Sequence, residues 1–414
     1  MKEFEKELAV LKGRVDGLEA KVAELEATQF STTTKLKGIA TFVLGANSFG
    51  GSNDNLTDAA RSFEGGTSFN YDVRLNFDTS FTGKDLLRTT LRAGNFADSA
   101  FGNGGLNQLE VAFQEDCNID SSNPTADCGD VVAINRLFYQ FPVGDGFTVT
   151  FGGRVRQDDM LAMWPSVYPA DTVLDIFTYA GAPGTYNLNL GAGAGIWYQK
   201  NGWSISANYV AANGDDGTPE RGGIGTSGSA ETGTVQVGYA GSNFGLAVAY
   251  NYSNGVGVAS GTPLAVAPQA EGAVFDSINS IGISGYWQPS TSGWMPSVSA
   301  GWGINGYNQD DDLAGFDGAN SQSWYVGLQW ADAFIKGNAL GMAVGQPTFL
   351  TSADNFDTND GNYAWEWWYK FQVTDNISVT PAIYYLSAPL GQLQKANDES
   401  FNNFGGIIKT TFKF

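Results

Sequence analysis

Tyr71-Asp-Val-Arg-Leu-Asn-Phe-Asp78 sets Tyr71, Val73, Leu75 and Phe77 on one side of an extended chain and Asp72, Arg74, Asn76 and Asp78 on the other. Successive side chains of a strand point to opposite faces, so this alternation is a strand with one greasy and one polar side. Asn243 to Tyr250 (NFGLAVAY) repeats it, with Phe244, Leu246, Val248 and Tyr250 against Asn243, Gly245, Ala247 and Ala249. A soluble sandwich also alternates, but its outward face carries Lys, Glu and Thr in quantity. Here the second face is largely Gly, Ala, Ser and Asn, which suits the lumen of a barrel whose apolar side meets lipid.

Connection lengths test this independently, because membrane barrels have short turns at one end and long loops at the other. Short turns fall near Thr82 to Lys84, Gly144 to Gly146, Lys200 to Gly202, Gly241 to Ser242, Pro289 to Gly293, Ala333 to Gly337 and Thr374 to Asn376, with long polar connections between them. Seventeen segments look like strands, yet both chain ends belong on the periplasmic side and that parity demands an even number. Leu106 to Phe113 is the misfit, since counting it would put the Pro142 to Phe147 turn on the wrong side. It is therefore assigned to a long external loop. The expected fold is all-β: a 16-stranded antiparallel transmembrane barrel over residues 31–414, with eight external loops and seven turns.

Bulk properties agree. The chain has 414 residues with 54 Gly, 13% aromatic and only 16% charged residues, a poor match to an ordinary water-exposed surface. No apolar run reaches the roughly 18 residues a spanning helix needs, and the other spanning solution is a closed barrel. The mean hydropathy of -0.18 is what alternating strands average to. Trp197, Trp203, Trp287, Trp302, Trp330, Trp365, Trp367 and Trp368 lie in or beside strand segments, many near an end, where interfacial girdles form. The chain closes on an alternating strand, Ile408, Thr410, Phe412 and Phe414, and its last residue resembles the assembly signal of bacterial outer-membrane proteins.

The first thirty residues differ from the rest. Phe4, Leu8, Leu11, Val15, Leu18, Val22 and Leu25 alternate in steps of four and three, a heptad seam with Leu8, Val15 and Val22 at a and the others at d. Glu7 with Lys12, Arg14 with Glu19 and Lys21 with Glu26 pair opposite charges from g to the following e, as in a parallel coil. Residues 1–30 are thus expected to form a periplasmic coiled-coil helix, and Val at a with Leu at d leans toward a dimer. The alternative is a single amphipathic helix lying on its own barrel. No secretory signal is visible at Met1, so a longer precursor is expected.

Cys117 and Cys128 flank a polar stretch rich in Asp, Ser and Pro. A disulfide across it would remove roughly 3 kcal/mol of unfolded-state entropy and implies an oxidising compartment. Two unpaired thiols are the other reading. With no histidine, Ser-His and Cys-His catalysis is excluded and zinc loses its commonest ligand. Asp158 with Asp159 and Asp215 with Asp216 are adjacent in sequence only, and the calcium-like stretches Asn53 to Asp58 and Asp357 to Gly361 lack the terminal Glu of a calcium loop. No enzyme, cofactor or metal centre is expected. A net charge of -21 argues against nucleic-acid binding.

The informative charges are basic and sit on strands. With the apolar face outward, Arg74, Arg88, Arg92, Arg136, Arg154 and Arg156 project into the lumen from four consecutive strands. Gln157 to Asn187 follows as the third external connection, too long for an ordinary loop, with Asp158, Asp159, Asp171 and Asp175. Folded into the lumen opposite the arginines, it makes a constriction with a transverse field, in which Asp158 and Asp159 join the arginine set. The compatible alternative is that acids such as Asp72 and Asp78 merely satisfy the arginines. Most other acids, among them Asp54, Asp58, Glu64, Glu115, Asp116, Asp310 to Asp312, Asp354, Asp357, Asp360, Asp398 and Glu399, fall in external loops. There they concentrate cations within about 8 Å or bridge divalent ions to lipopolysaccharide.

Thr32 to Gly38 (TTTKLKG) after a coiled coil, Arg74 to Gly94 (RLNFDTSFTGKDLLRTTLRAG) and Gly152 to Pro165 (GGRVRQDDMLAMWP) resemble the cyanobacterial outer-membrane porins, which are similar to OprB-type porins and are also labelled iron-uptake porins. The match runs from the coil to the terminal Phe. The resemblance implies homotrimers, against the dimer lean of the coil, and an S-layer-homology domain ahead of the coil that binds peptidoglycan. It thus implies an outer-membrane porin passing small hydrophilic solutes and inorganic ions, natively linked to the cell wall. A structural tether with a nearly closed pore and a substrate-specific channel for carbohydrate or iron are the alternatives. A substrate-specific channel needs a saturable site, which stacked aromatics along the lumen would favour as one for sugar, and the sequence does not place Tyr325, Trp365 or Tyr384 relative to the constriction.

Overall fold

The computed structural model describes residues 33–102, 104–114, 129–171, 173–266, 277–308, 318–353, 359–394 and 399–414, together with Lys12 and Val15. Sixteen strands close into one antiparallel barrel, each paired with its sequence neighbours and the first with the last. They are β1 (Thr34–Gly51), β2 (Ser68–Thr79), β3 (Leu86–Gly94), β4 (Ala133–Val143), β5 (Phe147–Arg156), β6 (Leu190–Lys200), β7 (Trp203–Ala211) and β8 (Glu231–Ala240). The second half is β9 (Phe244–Asn254), β10 (Ser277–Trp287), β11 (Ser297–Asn308), β12 (Asn320–Ala331), β13 (Ala339–Ser352), β14 (Ala364–Thr374), β15 (Ile377–Leu386) and β16 (Phe401–Lys413). Closure leaves no sheet edge, as a bilayer interior requires.

The seven short turns fall where the alternation breaks. One of the two-residue turns joins Lys200 to Trp203 through Asn201 and Gly202, both at positive φ (53° and 84°), the Asn-Gly geometry that suits strand twist. Barrel closure at this turn end is direct: the N–H of Phe414 donates to the Gly38 carbonyl (3.0 Å), and the Phe414 ring occupies the space a Cβ on residue 38 would need.

The two faces separate as the alternation requires. On β9, Phe244, Leu246, Val248, Tyr250 and Tyr252 are exposed outward, while Ala247, Ala249, Asn251 and Ser253 are buried inward. Trp203, Trp287, Trp302 and Trp367 are outward and exposed, whereas Trp368 points into the barrel and is buried. Aromatic contacts between Phe147 and Tyr198, and from Trp203 through Tyr239 to Phe244, band the turn end.

Two expectations change at the loop end. Asn53 to Asp58, expected as external loop, starts a helix, α1 (Asp54–Glu64), whose first turn is capped by the Asn53 side chain accepting from the Leu56 N–H (3.0 Å). Leu106 to Phe113 is indeed outside the barrel wall, in loop L2 (residues 95–132) between β3 and β4, but it is not external in position. Leu106, Leu109 and Val111 are buried against inward-facing residues of β1 and β12–β16. Of the first thirty residues only Val15 of the heptad seam and Lys12 beside it are described, both helical, and the rest of the seam lies outside the described residues. Cys117 and Cys128 also lie outside them.

Candidate functional site

The inner wall is chemically divided. On β7–β12 it carries uncharged groups such as Ser204, Ser206, Thr234, Gln236, Ser280, Ser284 and Asn305, all buried. Charge gathers on β2–β5, where a carboxylate partners each inward arginine. Asp72, almost fully buried, accepts from two guanidiniums at once, Arg74 Nε at 2.7 Å and Arg92 Nε at 2.6 Å, which face each other across the β2–β3 register. Asp78 takes Arg88 through two bonds (2.8 and 3.1 Å) and also Lys37 (2.9 Å). Arg136 Nε donates to Asp159 (2.7 Å), and Arg156 grips Asp158 bidentately (2.5 and 2.6 Å). Paired forks of this kind fix guanidinium planes rather than leaving mobile charge.

Arg154 departs from the expected face. The β4–β5 register slips between Leu137 and Phe138, and β5–β6 slips between Gly152 and Val155. Val155 consequently turns inward, fully buried against Phe138, Met160 and Val210. Arg154 stands opposite Leu137, which faces outward. A β-bulge adds one residue to a strand and inverts the parity beyond it. Arg156 ends the strand and still lines the inner cavity with Arg92 and Arg136.

Loop L3 (residues 157–189) crosses the lumen. It begins as a 3-10 turn, Gln157–Met160, locked by the buried Gln157 amide donating to the Thr185 carbonyl (2.8 Å) and to Thr234 Oγ1 (2.6 Å). The chain then visits wall after wall. Ala162 N–H donates to Ser206 on β7 (2.9 Å), Gln236 on β8 donates to the Met163 carbonyl (2.9 Å), and Val167 N–H donates to Ser299 on β11 (2.9 Å). Tyr168 OH donates to Glu366 on β14 (2.6 Å), which also accepts the Leu174 N–H (2.8 Å), and Trp368 Nε1 donates back to Tyr168 OH (2.8 Å). On the return, Ser284 and Ser323 donate to the carbonyls of Ala180 (2.7 Å) and Gly181 (2.9 Å). The close approach needs Gly301, where a Cβ would run into the Ala180 carbonyl.

L2 and L3 bury each other. Leu109 bridges Leu174, Asp175 N–H donates to the Gln108 carbonyl (3.0 Å), and both loops pack on Ala339, Ala343, Ala364, Ala382, Tyr384 and Ile407 of the inner wall. Tyr325 and Tyr384 lie beneath this packing, and Trp365 stacks on the outward Tyr363, so none of the three forms an open platform. Glu110 of L2 reaches Arg74 (3.4 Å), a site residue that alternation could not supply because it comes from a loop.

Among the described residues, two water-accessible spaces bear on the path through the lumen. One, of about 580 Å³, is lined by Arg92, Arg136, Arg156, Glu110, Asp158 and Asp175, with Trp164 and Tyr179 beside them. The other, of about 380 Å³, lies at the turn end against β14–β16. The tip of L3 stands between them: Ala170 borders the first, Pro169 and Asp171 the second. Three cationic and three anionic side chains therefore face the first space. Burial pushes the Asp158 carboxyl up, but the Arg156 guanidinium outweighs it and holds Asp158 below the usual carboxylate range. Burial, with the charge of Glu110, pushes Asp175 up to about 6 although Tyr179 and Thr178 donate to it. Among the described residues no group of three or more acids, cysteines or histidines could hold a metal ion.

Comparison with known proteins bears on this geometry. The family model described as carbohydrate-selective porin, OprB family, matches residues 1–414. An uncharacterized protein of Nostoc sp. is 31% identical over 452 residues, covering all of this chain and 71% of its own length. The OprB structure of Pseudomonas putida aligns over 95% of this chain and 96% of its own, at 12% identity and a TM-score of 0.58. Vibrio cholerae OmpT, solved in a trimer form, aligns over 92% and 99% at 12% identity and a TM-score of 0.53.

Proposed function

Because the chain belongs to the OprB family of carbohydrate-selective porins, we propose that it passes small hydrophilic solutes and inorganic ions by diffusion across an outer membrane, through a constriction between the L3 tip and the arginine wall. The observation that carries this reading is the position of residues 169–171, which separate the two spaces of the lumen. Arg74, Arg92, Arg136 and Arg156 supply one side of the constriction, with Arg88 below them. Asp158 and Asp159 fix Arg156 and Arg136 in place. Fixed opposite charges across a narrow polar gap orient dipolar solutes and water, and low-dielectric walls strengthen that field. Near balance of the charges gives weak ion preference despite the net charge of -21.

The test replaces Arg136 and Arg156 together with Ser. Two cations are lost while their carboxylates stay, so reversal potential in a KCl gradient moves toward cation permeability and unit conductance rises. Neutralising Asp310 to Asp312 changes little at high salt. A shift in the second variant without one in the first overturns the assignment.

A carbohydrate channel is the second reading, supported by the family description and by Trp164 and Tyr179 beside the paired arginines. Saturable sugar uptake into liposomes, lost in Trp164→Ala, distinguishes it from simple diffusion. The native protein is proposed to assemble as a trimer and to link the membrane to peptidoglycan through a domain ahead of a periplasmic coil, on the family resemblance.

A further inference from the structure

We propose that the inner surface of β14–β16 at the periplasmic end is a binding site for small polyvalent oxyanions, held by Lys370, Lys409 and Lys413. This site is separate from the arginine wall and does not rest on the constriction reading. Its geometry follows from register. Trp368 faces Ala382 and Phe371 faces Val379, so Lys370 stands opposite Thr380, and Thr380 in turn faces Lys409. With neighbouring strands about 4.8 Å apart, the two lysine Cα atoms lie roughly 10 Å from each other across one threonine. Lys413 follows on the same inward face of β16, roughly 13 Å further toward the end. Flexible stems bring such ammonium groups together over a single ligand, as arginine forks do less readily.

The three lysines, with Asp171, Asp375 and Trp368, line the cavity of about 380 Å³, and three cations thus face two carboxylates. Asp171 comes from the L3 tip and is exposed to the lumen. Lys409 first, then Lys413, Lys370 and Arg74, outweigh burial and hold its carboxyl below the usual range, so it stays ionised at neutral pH. The Lys409 ammonium also donates to the Asp171 carbonyl, which ties the loop tip to the site. Lys370 and Lys413 have no ion-pair partner within 4 Å among the described residues.

This is the reverse of the arginine wall, where Arg74, Arg88, Arg92, Arg136 and Arg156 each hold a carboxylate. In a chain with 43 acids against 22 bases, two inward lysines left unpaired by acids make an electropositive recess. Thr380 and Thr411 add neutral hydroxyls along the same wall. The recess suits phosphate-like or polycarboxylate anions, and point-charge ammonium groups release them readily enough for a channel.

Inorganic pyrophosphate is the probe, titrated into the full chain in detergent at low salt, about 0.1 M, and followed by calorimetry so that the readout does not depend on conductance. Saturable binding is expected, weakened at least tenfold in Lys370→Gln with Lys413→Gln and retained in Lys370→Arg with Lys413→Arg. Each single Gln variant, expected to lose at least threefold, serves if the double variant fails to fold. Lys200→Gln, on an exposed turn lysine paired with Asp145, leaves binding unchanged. In planar bilayers pyrophosphate blocks current from one side at a tenfold lower concentration than from the other. Binding that the Gln variants leave intact, or no saturable binding in the wild type, overturns the proposal.

Discussion

Removing Glu366 should release L3 from the far wall of the barrel. Its buried carboxyl accepts from Tyr168 OH at 2.6 Å and from the Leu174 N–H at 2.8 Å, and Trp368 completes the chain through Tyr168. In Glu366→Ala both donors lose their acceptor, at about 1–3 kcal/mol for each buried group left unpaired, or about 2–6 kcal/mol together. Lumen water that reaches them moves the cost to the lower end. Since about 1.4 kcal/mol is a factor of ten, the displaced loop gains roughly 30-fold in population even there. Glu366→Gln keeps one acceptor oxygen and should show an intermediate effect. Single-channel recording is the assay: the Ala variant visits a second, larger conductance level that the wild type rarely enters. Tyr168→Phe should add little on top of Glu366→Ala, because both break one network. Wild-type traces from Glu366→Ala, or full additivity in the double variant, would refute the staple.

Asp175 makes selectivity depend on pH. Its carboxyl, pushed up to about 6 and facing Tyr179, Thr178, Glu110 and Arg156, loses its charge as pH falls through that value, so reversal potential shifts toward anions, and Asp175→Asn removes the shift. Asp85 ties the first turn together, accepting from Ser80, Thr82 and Tyr139 at 2.7–2.8 Å. Burial pushes its carboxyl up, but those donors prevail and hold it below the usual range. The stability it adds is therefore complete above the unfolded value of about 3.9 and lost as pH falls toward the lower folded value. Thermal unfolding of the wild type should show that acid-side loss, and Asp85→Asn should lack it. Deleting residues 1–28 should leave a folded, heat-modifiable barrel, because β1 begins at Thr34 and pairs with β2 from Thr34 and with β16 from Ile39 without them.

How much of this was legible depends on which solvent enforces the pattern. Lipid punishes every polar group on the outer face, so stretches such as Asn243 to Tyr250 alternate cleanly, and all seven turns fall where the alternation stops. The lumen enforces less. Strict parity misplaced Arg154 because a bulge absorbs a residue after Gly152 and Gly153, and that Gly pair was the available warning. The inward packing of Leu106, Leu109 and Val111 was hidden, since the surface that covers them is Ala339, Ala343 and Ala364, far away in sequence. Glu366, Trp368 and Lys370 were within reach of the same parity argument applied to AWEWWYKF, where three inward residues stand at alternate positions. Helix α1 was missed because it is short and set in a polar connection, although Leu56, Ala59, Ala60 and Phe63 recur at helical spacing and Asn53 is a good cap residue.

The packing of L2 and L3 on Ala339, Ala343, Ala364, Ala382, Tyr384 and Ile407 bears on any attempt to widen the pore. In most channels a shortened loop opens a larger water path. Here L3 shares an apolar stretch of wall with L2, so excision of L3 would bare part of that stretch to water and favour collapse of L2 onto it. The polypeptide that narrows this lumen also holds its neighbouring loop in place, so conductance should peak at some intermediate loop length rather than rise steadily as L3 is shortened.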